Sequence, residues 1–148
     1  MTRLAANSRL ARTGAMAFLL WGLLHITGSA FILVELATGG PSAGYAVYSV
    51  TDLPTQAIAG AALGYMSFLI AASGLAACGI ALRLNWRNSE VGLALNTGLV
   101  LVIEVGLAVF LVLPGHVSLA EALPGLILFG AGATLGGIAC RKGSAHGT

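Results

Sequence analysis

An all-α fold, an integral membrane four-helix bundle with both termini in the cytoplasm, is what this sequence predicts, and three observations predict it. The 148 residues are 57% hydrophobic and only 8% charged, far from the balance of a soluble domain. Four apolar stretches are each long enough to cross ~30 Å of hydrocarbon at 1.5 Å per residue, which takes roughly 20 residues. All seven Lys and Arg residues fall on one side of the topology those stretches imply.

The stretches are residues 15–38, 57–82, 91–113 and 119–140, within a single membrane domain. Ahead of the first, residues 1–13 form a short basic leader with Arg3, Arg9 and Arg12. An apolar run after arginines resembles a secretory signal. This run exceeds the 7–15 residues of a signal core and is followed by further spans, so it reads as a membrane helix. Its 3-4 spacing sets Gly14, Phe18, Trp21, His25, Gly28, Ile32 and Glu35 on one face. Glu35, near the outer end, reaches the interface. Residues 39–56, GGPSAGYAVYSVTDLPTQ, form the outer loop, where Tyr45 and Tyr48 mark the bilayer interface and Asp52 faces outward.

The second stretch carries the clearest pattern. Ala57, Gly60, Gly64, Ser67, Ala71, Gly74, Cys78 and Ala81 recur every three or four residues. In lipid, where no hydrophobic force drives helices together, such a small-residue stripe lets backbones approach and gain dispersion contacts. The loop at 83–90, RLNWRNSE, is tight, which makes the second and third helices an antiparallel hairpin. Asn88 or Ser89 is placed to cap the third helix, with Glu90 favourable in its first turn. Arg83 and Arg87 keep this loop cytoplasmic, as Arg141 and Lys142 do the C terminus.

The third stretch holds the residue that stands out most. Glu104 lies close to the bilayer centre, where insertion scales set the cost of a charged side chain at roughly 2.5 to 3.5 kcal/mol; it has to be neutral, paired or beside a wet cavity. Thr97 shares its face and Asn96 lies beside them. His25 on the first helix is at comparable depth, since both helices run inside to outside. A His–Glu contact is the chemistry of a proton relay; the alternative is a structural hydrogen bond that orients two helices. After the Pro114-Gly115 turn, His116 reads as a loop residue. The fourth stretch, with Pro124 in its first turns, repeats small residues at Gly125, Gly132, Gly136 and Ala139, with Phe129 among them. Residues 143–148, including His146, read as a disordered tail.

Function classes narrow accordingly. The net charge of +2 follows from topology, which sets nucleic acid aside. Cys78 and Cys140 lie at the reducing cytoplasmic side with no Cys/His spacing for zinc or iron–sulfur. No nucleophile motif or phosphate loop occurs, and no cofactor is predicted. His25 and His116 are separated by roughly 20 Å in depth, too far to ligate one haem between them. The leading expectation is a non-catalytic packing or accessory subunit of the inner membrane, in a homo-oligomer or beside a larger membrane complex. The alternatives are a proton-linked transporter using Glu104 and His25, and a redox subunit binding quinone or haem with partner-supplied ligands.

Overall fold

The computed structural model describes the backbone of residues 2–39 and 53–144, and side chains within 9–38 and 58–142. The described residues form four helices and no strands: α1 (Thr2–Gly39), α2 (Leu53–Arg83), α3 (Glu90–Leu107) and α4 (Leu119–Ser144). Tyr45, Tyr48 and Asp52, and residues 145–148 with His146, lie outside the described residues; Gly143 and Ser144, which the sequence reading put in the disordered tail, instead continue α4. All four helices are long and apolar enough to cross a membrane.

Three further boundaries differ from the sequence reading. Helix α1 begins at Thr2, not near residue 15, so the basic leader is helical. Its residues up to Gly14 include Leu4, Ala5, Ala6, Leu10 and Ala11, good helix formers with no Pro to interrupt them. Helix α2 begins at Leu53 with Pro54 in its first turn, where the missing N–H costs nothing. The third span does not stay α-helical to residue 113. It widens into a π-helical turn at Ala108–Val112, where Leu113 N donates to Ala108 O at 2.9 Å. Gly115, at φ +83°, then reverses the chain in the left-handed region that closes many helices.

Helix α1 is the centre of the bundle and packs along both α2 and α4, while α3 touches those two less extensively. Close approaches between backbones hold α1 in place. A Cβ at Gly22 would stand 2.6 Å from Gly74 O, and one at Gly74 would stand 2.7 Å from Gly22 O. On the α4 side, a Cβ at Gly14 would lie 2.9 Å from Gly136 N and 3.2 Å from Gly132 O. Gly74 is thus the point of closest contact on α2; Gly64 meets only the tip of Leu36, at an ordinary 3.6 Å. Ser67 is buried, whereas Gly60 and Ala71 are half-buried. Phe18, Trp21, Ala77, Ala81 and Val100 form the core, flanked by Leu93, Ile103 and Phe129 among others.

The middle loop knits one end of the bundle. Asn85–Arg87 is a 3-10 turn, Asn88 adopts φ 58°, and Ser89 caps α3 by accepting from Gly92 N. Asn88 Nδ2 donates to Ala139 O on α4 at 3.3 Å, and Arg12 of α1 lies 5.9 Å from the Trp86 ring centroid. The start of α1 and the end of α4 therefore gather around this loop. The outer surface is apolar: Phe31, Phe68, Leu75, Val102, Val105 and Ile127 all face outward. Such a surface suits hydrocarbon as its solvent.

Candidate functional site

Trp21, His25 and Glu104 come together where α1, α3 and α4 meet. Trp21, a turn beyond the tightly packed Phe18, presents its indole to α3. Its Nε1 donates to Glu104 Oε1 at 2.6 Å, and both residues are buried, Trp21 at 0% and Glu104 at 3% exposure. Glu104 is therefore tied across 83 residues of sequence to the central helix. Its other oxygen, Oε2, is enclosed without a hydrogen-bond partner among the described residues.

His25 follows one turn after Trp21 and stacks on it, the ring centroids 3.9 Å apart and the planes inclined by 27°. Its Nδ1 lies 2.9 Å from the Trp21 carbonyl oxygen. A carbonyl only accepts, so Nδ1 carries the hydrogen and donates it. The direct His25–Glu104 hydrogen bond considered from the sequence is not formed; Trp21 takes that place, and His25 is held beside the pair by stacking.

Gly125 makes the convergence sterically feasible. A Cβ at that position would stand 2.7 Å from Glu104 Oε1 and 3.5 Å from His25 Cε1, so α4 comes this close only because the side chain is absent. Asn96, fully buried on α3, donates from Nδ2 to Ala77 O of α2 at 3.1 Å and forms a second cross-helix tie. Thr97 Oγ1 is enclosed without a partner among the described residues. Glu35 is exposed, as is Gly28, whereas Ser29 between them is buried. His116 is exposed in the turn before α4.

A second feature adjoins this cluster. Between α2 and α3 lies an open groove of about 460 Å³ lined by Met66, Leu69, Ile70, Ile103, Leu107 and Phe110 among others, with His25 at its edge. Phe110 and Leu111 belong to the π-helical turn, and Gly106 opens onto the groove with no atom within 4 Å of where its Cβ would be. The chain matches no protein-family model, no curated protein and no solved structure. What the site does has to be argued from its own atoms.

Sequence reasoning missed two parts of this arrangement that carry a readable signal. Gly22 lies one residue from Trp21 and off the α1 stripe, yet it makes the close contact with Gly74 of α2. The Ser118-Leu119-Ala120-Glu121 run is a capping box at the start of α4. Glu121 N lies 3.3 Å from Ser118 Oγ, while Ser118 N and Oγ donate to Glu121 Oε2 at 2.8 and 2.7 Å. The groove between α2 and α3 had no such signal, since the spacing of two helices away from their connecting loop is set by tertiary packing.

Proposed function

We propose that this protein is a non-catalytic membrane subunit that packs in a homo-oligomer or beside a larger membrane complex, with both termini and the middle loop in the cytoplasm. The observation that carries this reading is the buried Trp21–Glu104 hydrogen bond. A mid-membrane carboxyl is costly unless paired or neutral, and here one of its two oxygens accepts a hydrogen bond from a neighbouring helix in a closed interior. That is the use of a polar group as an adhesive between helices. Asn96 on the Ala77 carbonyl is the same device one helix over. A proton path would ask of Glu104 a route to water, and its 3% exposure supports the structural role instead. The apolar outer faces of all four helices leave ample surface for lipid and a partner. The cytoplasmic assignment rests on the segregation of Arg and Lys, since the loop holding Arg83 and Arg87 gathers with the ends of α1 and α4.

Native mass spectrometry from a mild detergent tests the assembly, with Glu104→Gln as the control variant. The expected result is a defined oligomer or a stoichiometric partner complex, retained in the variant because Gln still offers an oxygen to the Trp21 N–H. A monodisperse monomer whose vesicles show proton flux abolished by Glu104→Gln would refute the reading. Labelling of single cysteines in intact cells tests the orientation: position 87 should be protected from an impermeant reagent, and reaction there from outside would reverse the topology.

A further inference from the structure

The two ends of the bundle carry opposite charge. By sequence position, all seven Lys and Arg fall at the end that gathers the start of α1, the middle loop and the end of α4, and Glu90 is the one carboxylate beside them. Glu35, Asp52 and Glu121 belong to the other end, and Glu104 is buried between. Segregation of this kind is enough to orient a chain in the membrane. Packing adds something that orientation does not require, because it draws three of the cations, from three different elements, around one point.

That point is a small cavity lined by Ala11 of α1, Asn88 of the loop and Cys140 of α4. Arg12, Arg87 and Arg141 are the chain neighbours of these residues, so the Cα of each stands ~3.8 Å from the Cα of a residue lining the cavity. Direct contacts agree. The Arg12 guanidinium lies 5.9 Å from the Trp86 ring centroid, next to Arg87 in the chain, and Cys140 Sγ lies 3.5 Å from Asn88 Oδ1. All three arginines are exposed. A guanidinium resting on an aromatic face keeps its full charge, whereas a carboxylate partner would cancel it.

We infer that Arg12, Arg87 and Arg141 form a headgroup site for a phospholipid of net negative charge, with Trp86 beside it. Depth identifies the source of the anion. Arg12 lies in the first turn of the Arg9–Thr38 span, while Arg87 and Arg141 lie in the last turns of the Ile58–Arg87 and Leu119–Lys142 spans, which is the level of the bilayer phosphates. Exposed Trp86 belongs at that level too, where tryptophan concentrates. A lipid phosphate is already there at high local concentration, whereas a soluble anion has to come from dilute solution. The planar fork of arginine donates in pairs to phosphate oxygens, and basic pockets between helix ends are where anionic headgroups bind. A zwitterionic lipid brings its own ammonium into the field of three cations, and loses most of the attraction.

The test titrates the purified full-length chain, in a neutral detergent, with phosphatidylglycerol, with phosphatidylcholine of the same acyl chains, and with soluble glycerol phosphate. Native mass spectrometry counts bound lipid and thermal unfolding reads its effect. Phosphatidylglycerol is expected to bind roughly 10- to 100-fold tighter than phosphatidylcholine, about fivefold for each engaged cation, and to raise Tm, while glycerol phosphate leaves Tm unchanged. Replacing Arg12, Arg87 and Arg141 together by Gln should erase the preference. Replacing Arg9, Arg83 and Lys142 together by Gln removes the same charge from the same end and should leave the preference within about threefold, since none of these adjoins a residue of the cavity. Equal binding of the two lipids overturns the inference. So does an equal loss in the two variants, which would reduce the site to a diffuse belt of charge, and so does stabilisation by glycerol phosphate equal to that by the lipid. Should the first variant fail to fold, Arg87→Gln against Arg83→Gln decides, with a fivefold loss of preference expected in the former alone.

Discussion

Replacing Trp21 by Phe removes one N–H from the bundle interior and little else of the indole's shape, which isolates the contact on which the structural reading depends. Two terms set the magnitude. Trp21 is fully buried, and shrinking the ring leaves a void of a few tens of Å³, worth ~1 kcal/mol at about 24 cal/mol per Å³. Loss of the 2.6 Å bond leaves Glu104 with neither oxygen hydrogen-bonded among the described residues, since Oε2 has no such partner already. Hydrogen bonds between membrane helices average about 0.6 kcal/mol and reach about 1.7. A short, fully buried one belongs at the upper end, so Trp21→Phe should cost about 2–3 kcal/mol in all. The void and the bond are separated by a double-mutant cycle with Glu104→Leu, measured by reversible unfolding in mixed micelles. The coupling energy should be about 1–2 kcal/mol, because once the carboxyl is gone the N–H has nothing to lose. Additivity within about 0.5 kcal/mol would mean the bond contributes nothing, and the assignment of Glu104 as an interhelical tie would fall.

Three further outcomes follow from the packing. Gly74→Ala should destabilise the bundle by about 1–3 kcal/mol, because its Cβ meets the Gly22 carbonyl at 2.7 Å, whereas Gly64→Ala should be close to neutral; equal effects in a detergent melt would contradict the crossing point. Gly125→Ala should push Glu104 off Trp21 and change Trp21 fluorescence in a Trp86→Phe background, whereas Gly130→Ala, with open space at its Cβ, should leave the spectrum unchanged and gain up to about 1 kcal/mol of helix propensity. Ser118→Ala should cost about 1 kcal/mol and speed amide exchange in the first turn of α4, and unchanged exchange at Glu121 would show that the capping box is not maintained.

The division between what was legible in advance and what was not follows the range of the interactions. Spans, connections and the all-α class depend on local composition, and each was readable because a helix must satisfy its backbone within itself before it can enter hydrocarbon. Capping at Ser89 is equally local. The boundaries that shifted, at Thr2, Leu53 and Ala108, lie where hydropathy falls but helical propensity persists, or where packing bends a helix that composition would have left straight.

By itself the amino-acid sequence determined that the chain forms four apolar helices, that one stripe of α2 is small enough for close packing, and that Glu104, Asn96 and His25 need partners. Tertiary structure alone decided which partners those are. Trp21, not His25, reaches Glu104: the indole N–H donates to the carboxyl and the imidazole stacks on the indole. Gly22, off the expected stripe, meets Gly74, because a crossing point depends on the angle at which two helices meet. That angle is set by the sum of many weak contacts across the bundle, and no periodicity within one helix encodes it.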